Sequence, residues 1–206
     1  MHLYWQEAVI NVVLLIILTA PHEFAHAWVA TRLGDDTPAF QGRVTLNPLV
    51  HIDRIGTVIL PLLTSLLGAG FIGWGRPVYT TTAKLRGGLN GLLLVALAGP
   101  ASNIVLALLF GALSLAAGAF WHPAFFFLVR GIRLSLYLAI FNLLPVPPLD
   151  GSKFLLAARI PAVIYTEIAR FGFVLLLVLF SATSVGIYLS HWSDWGTIAI
   201  LRAFGW

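Results

Sequence analysis

Cysteine is absent from this 206-residue chain, which excludes disulfides and cysteine-ligated metals. Charge is scarce as well. Asp, Glu, Lys and Arg make up 10% of the residues, against roughly 25% in soluble domains, while 59% are hydrophobic. That is the composition of an integral membrane protein. Once several spans are counted, it leaves no room for a sizeable receptor or peptide-binding module. The net charge is +4, but the twelve Lys and Arg are spread along the chain rather than clustered, so a nucleic-acid surface is not expected. Residues Met1–Glu7 lack the basic residues of a signal peptide, and the first apolar segment is expected to be retained.

A membrane span needs about 20 mostly apolar residues. Apolar stretches run over 8–31, 55–75, part of 87–129, 125–144 and 171–190. The block 87–129 contains no Asp, Glu, Lys or Arg and is too long for one helix, so a break is expected at Trp121-His122-Pro123. The second stretch contains Pro61, Gly68, Gly70, Gly73 and Gly75, a poor continuous helix. Irregular backbone at membrane depth survives only inside protein or beside a wet cavity. This stretch therefore reads as a re-entrant hairpin. Charge agrees: with that topology Arg32, Arg43, Arg54, Arg76, Lys84, Arg86, Lys153, Arg159 and Arg170 fall inside, and only Arg130, Arg133 and Arg202 outside. Segments 40–46 and 76–82, rich in Val and Thr, are expected to be short cytoplasmic strands.

The first apolar stretch contains His22-Glu23-Phe24-Ala25-His26. Four positions apart on a helix, the two imidazoles share one face about 6 Å apart along the axis, the spacing at which one metal ion takes a nitrogen from each. Glu23 lies beside them as a candidate base. In a helix that begins near Glu7, His22 lies about 22 Å along the axis, which places the metal roughly 8 Å below the cytoplasmic face.

Hydrolytic zinc sites usually have three protein ligands and an open position for water. Six residues after His26 stands Arg32, not a third histidine. Asp35 and Asp36 are the nearest acids, in an expected turn, but Asp150 is the stronger candidate. It follows Asn142-Leu143-Leu144-Pro145-Val146-Pro147-Pro148-Leu149, where three prolines forbid a helix, and it precedes Gly151. An acid at such a break can turn back into the bundle, where a metal would relieve the cost of an intramembrane carboxylate.

With these residues in view the chain resembles the site-2 protease family of intramembrane zinc metalloproteases. The likeness rests on His22–His26, on Ala98-Gly99-Pro100-Ala101-Ser102-Asn103, and on Asn142–Pro145 through Leu149-Asp150-Gly151, and it covers about residues 8–160. It implies one catalytic Zn2+ held by His22, His26 and Asp150, with Glu23 as base and Asn142 holding substrate or oxyanion. It further implies a single membrane-embedded protease domain over 1–206, with an extra C-terminal span at about 171–190. Its substrate would be a transmembrane protein or peptide in the lipid bilayer of a prokaryotic cell, and its active site would face the cytoplasm. The expected fold is all-α, a polytopic helix bundle with the hairpin and the small β elements. Two rivals are a metal-ion transporter, which would need polar residues through several spans, and an inactive binder of membrane segments, for which Glu23 would be superfluous. Gly99, Pro100 and Asn103 read as close helix packing. His51 reads as an interfacial histidine, with a gate over the metal cleft as the alternative.

Overall fold

The structure, a computed structural model, describes residues 2–66 and 73–206; residues 67–72, within the stretch 55–75 expected to be a re-entrant hairpin, lie outside the described residues. Nine α-helices are found among the described residues: α1 (His2–Arg32), α2 (Thr37–Phe40), α3 (Leu60–Leu66), α4 (Leu89–Phe120), α5 (His122–Asn142), α6 (Lys153–Ala157), α7 (Ala162–Arg170), α8 (Gly172–Ala182) and α9 (Val185–Ala203). Three are long and apolar enough to cross a membrane, over Trp5–Arg32, Leu89–Gly118 and His122–Asn142. A fourth span results if α7 and α8, bent by 63° at their junction, cross together. The chain is a multi-pass membrane protein.

The core lies where α1, α4 and α5 meet. Leu15 and Leu18 of α1 pack with Ala107 and Phe110 of α4 and Ile132 and Leu138 of α5. Uncharged side chains fill this seam, and Ser135 donates across it to the Asn103 carbonyl at 2.8 Å. The outward faces are apolar too: Val13, Val105, Leu109, Val174 and Val178 are all exposed. Apolar surface on this scale is foreign to a soluble monomer and fits contact with lipid tails.

The break expected at Trp121-His122-Pro123 is present: α4 ends at Phe120 and α5 starts at His122, with Pro123 in its first turn, where its missing N–H costs nothing. The single span expected over 171–190 is not. Helix α8 stops at Ala182, Thr183 turns extended, and its hydroxyl takes the Val185 amide at 3.3 Å as α9 begins. Helix α9 then packs on α5, where Arg133 pairs with Asp194 and donates to Ser190 at 2.7 Å.

The two ends of the 55–75 stretch lie side by side. The Trp74 amide donates to the Gly56 carbonyl at 2.9 Å, the Thr57 hydroxyl to the Trp74 carbonyl at 2.8 Å, and the Arg76 amide to the His51 carbonyl at 2.8 Å. The chain thus leaves through a wide π-type turn at Arg54–Ile59 and α3, and comes back to its point of departure.

The expected strands do not form. Residues 40–46 continue from the end of α2 into tight turns, with the Arg43 amide bonded to the Pro38 carbonyl. Residues 76–81 form neither helix nor strand, Thr81 being extended, and they have no ladder partner among the described residues. Their amides go elsewhere: Val78 to a Glu23 carboxylate oxygen at 3.1 Å, and Thr81 to Asp35. This strap lies across the C-terminal part of α1.

Asp35 anchors the far end of the strap. It is fully buried and also accepts the Thr37 amide at 3.0 Å. Burial alone would raise its carboxyl, but the bonds from Thr37 and the Thr81 amide hold it below its ordinary value. A depressed carboxylate contributes stability above its unfolded value, about 4, and loses it as pH falls through the lower folded value. Thermal unfolding of the reconstituted protein should therefore show destabilisation on acidification below about pH 4. Asp35→Asn should lower stability at neutral pH and flatten that acid limb; an unchanged limb would remove Asp35 from the account.

Candidate metal centre

Helix α1 carries His22 and His26 one turn apart, immediately after Pro21, and all but a few per cent of each side chain is buried. Their Nε2 atoms are 3.1 Å apart. Asp150 reaches them from a 128-residue sequence distance: its Oδ2 lies 3.2 Å from each Nε2. Asp150 owes its place to the proline run. Helix α5 ends at Asn142, the chain turns through Pro145–Pro148, and a short helical turn at Asp150–Ser152 presents the carboxylate to α1. A fifth of the Asp150 side chain is exposed, so the site is open on that side.

The triangle fits a tetrahedral ion. Ligands about 2.0–2.1 Å from zinc stand about 3.3–3.4 Å from one another at ideal tetrahedral angles. The imidazole tautomers fit as well. His26 Nδ1 lies 2.7 Å from the Val95 carbonyl, which can only accept, so Nδ1 carries the proton and Nε2 offers a lone pair. His22 Nδ1 lies 3.2 Å from Asn103 Nδ2, while the Asn103 Oδ1 atom is buried without a partner among the described residues. Exchanging the two near-identical ends of that amide sets Oδ1 against His22 Nδ1–H and turns a second lone pair inward. Two nitrogens and a carboxylate oxygen then converge with no proton among them, the donor set of a cation site.

Helix α4 supplies the supporting face. Val95, Gly99 and Asn103 recur every four residues and therefore line one stripe opposite the histidines. Val95 holds His26 and Asn103 holds His22. Gly99, between them, gives the rings room: a Cβ there would stand 2.3 Å from His26 Nε2 and 2.6 Å from His22 Nε2. Asn103 and Gly99 are thus site residues, although in the sequence they read as packing. The signal that could have found them is their own spacing of four, the same as that of the histidine pair.

Glu23, also buried, faces the strap and accepts the Val78 amide. Asn142 is not brought onto the triangle; its amide donates to the Leu138 carbonyl of its own helix at 2.9 Å. His51 is fully buried within the protein.

Comparison with known proteins adds an independent line. The chain is 39% identical to Putative zinc metalloprotease YwhC of Bacillus subtilis over 86% of its own length and 82% of that protein. It is 40% identical to Putative zinc metalloprotease Rip2 of Mycolicibacterium smegmatis over 63% of its length, spanning 49% of that relative. It is 38% identical to Putative zinc metalloprotease MJ0611 of Methanocaldococcus jannaschii over 48% of its length and 50% of that protein. No family model matches the chain. No solved structure matches it either.

Two substitutions test the supporting face. Gly99→Val should push the rings apart and abolish stoichiometric zinc, measured by metal analysis of the purified protein, with helical content unchanged. Asn103→Leu should weaken zinc affinity by about 10–100-fold, read by chelator competition. Wild-type affinity in that variant would show that Asn103 merely packs.

Proposed function

Because the chain belongs to the site-2 protease family of zinc metalloproteases, we propose that it is an intramembrane endopeptidase that hydrolyses peptide bonds in or beside the transmembrane segments of membrane proteins. The observation that carries this reading is the His22–His26–Asp150 triangle beside the buried Glu23, among helices with lipid-facing exteriors.

Zinc bound by the triangle supplies Lewis acidity and brings the pKa of a coordinated water toward about 7. The chain's own residues do the rest. Glu23 accepts the proton of the attacking water and delivers it to the leaving nitrogen. Its bond to the Val78 amide orients the carboxylate and ties the strap to the reacting centre. A helical substrate hides its carbonyls in internal hydrogen bonds and must unwind to be cut. The strap offers a template for the unwound piece. Tyr79 and Thr80 have amides with no partner among the described residues, and an extended peptide can pair along such an edge. Asn142, at the last turn of α5, gives up its bond to Leu138 and donates to the substrate carbonyl or the developing oxyanion.

The 55–75 hairpin enters and leaves the membrane on one side, which puts most of the basic residues and the open side of the metal centre toward the cytoplasm. Substrates are membrane proteins or the stubs left by an earlier cut, and the output is signalling across the membrane or clearance of membrane peptides.

Glu23→Gln should retain stoichiometric zinc and lose cleavage by about 10²–10⁴-fold. Asp150→Ala should lose zinc and activity together. Mass spectrometry of membrane peptides from cells carrying wild-type chain or Glu23→Gln should show intact substrates accumulating only with the variant. Turnover by zinc-loaded Glu23→Gln would reject Glu23 as the base, and identical peptide profiles would reject the protease.

A further inference from the structure

Among the buried polar side chains that take no part in the metal centre or in the proposed chemistry are Arg43, 4% exposed, and His51, fully buried. Both lie in the loop between α2 and the hairpin, and each braces the opposite end of it. The Arg43 guanidinium donates to the Val50 carbonyl, and His51 Nε2 donates to the Thr45 carbonyl at 2.8 Å. The braces cross, so the loop 43–51 is closed by its own first and last side chains.

The rest of the loop relays this closure. The His51 carbonyl accepts the Arg76 amide at 2.8 Å, which sets where the strap begins. Gly75, one residue earlier, is wedged against α1. A Cβ there would stand 2.2 Å from Thr19 Cγ2, 3.4 Å from the His51 carbonyl oxygen and 3.5 Å from Glu23 Oε1. Two residues past Arg76 the Val78 amide meets Glu23. A few covalent and hydrogen-bonded steps thus connect the His51 ring to the catalytic carboxylate.

We propose that Arg43 and His51 are positioning residues for the strap: by closing the loop 43–51 they fix the height at which its edge crosses Glu23 and receives an unwound substrate. This deepens the protease reading and rests on it for the substrate.

The ring chemistry agrees. A carbonyl only accepts, so the His51 proton is on Nε2 and Nδ1 is an acceptor; that atom is buried and without a partner among the described residues. Among the described residues the ring's one polar bond is the brace itself. Arg43 has no carboxylate within ion-pair distance among the described residues. Burial and the charge of Arg76 lower Arg43 below its ordinary value, while Glu23 and Tyr79 oppose them, which sets the guanidinium among the strap's own residues.

The chain contains no cysteine, so a single Tyr79→Cys substitution accepts one spin label at an exposed strap position. The full-length protein in liposomes should show an immobilised label. Adding His51→Phe should mobilise it, and His51→Gln, which keeps a donor at the same reach, should restore it. Without the label, His51→Phe should raise KM for a transmembrane peptide about tenfold with kcat within about threefold and zinc content unchanged. Arg43→Met should follow His51→Phe on the same readouts and serves as the test if His51→Phe does not fold. A folded brace variant with an immobile label and wild-type KM would overturn the proposal. The label reads strap order without catalysis, so a wild-type chain that cuts no membrane peptide would reject the protease reading and leave the brace standing.

Discussion

Three lone pairs held 3.1–3.2 Å apart inside an apolar helix bundle repel one another unless a cation lies among them. The bundle is built to impose that arrangement. The Val95 carbonyl and the Asn103 amide set the tautomers of the two imidazoles, the missing side chain at Gly99 lets α4 come close, and the proline run after α5 turns a carboxylate back toward α1. Each lowers the cost of organising ligands around zinc, so that part of the free energy of metal binding is spent on cohesion of α1, α4 and the Asp150 turn.

The hairpin and strap answer a different demand. Backbone that leaves regular structure near a bilayer must still find partners for its amides. Here the donors of 74, 76, 78 and 81 go in turn to Gly56, His51, Glu23 and Asp35, two carbonyls and two carboxylates. The Glu23 carboxylate therefore serves structure as well as the chemistry proposed for it. Between these anchors the Tyr79 and Thr80 amides have no partner among the described residues, an edge that would be costly in a soluble sheet protein and on which the proposed peptide pairing rests.

Much of what positions the site is local in sequence. Periodicity and run length disclose α1, α4 and α5 and the break before α5, because helix formation in lipid depends on residues within a turn or two of each other. The spacing of His22 and His26 is equally local. The strands expected at 40–46 and 76–82 show the limit of such reasoning. Val and Thr favour extended backbone, but whether such a segment joins a ladder depends on what its amides meet. Here they meet Glu23 and Asp35, 55 and 46 positions away. The span expected over 171–190 failed for a small reason: one threonine hydroxyl captures the Val185 amide and restarts the helix.

Composition and pattern alone established a membrane-embedded helical protein with a two-histidine, one-glutamate site in its first span, because hydrophobic run length and an i, i+4 pair need no knowledge of the rest of the chain. Tertiary structure decided the rest: that Asp150 closes the metal triangle, that Asn103 grips a ligand rather than filling space, and that His51 is buried under the strap. Each of these is a meeting of side chain and partner across helices or loops, and only the packing of α4 and the hairpin against α1 brings such partners within hydrogen-bonding distance.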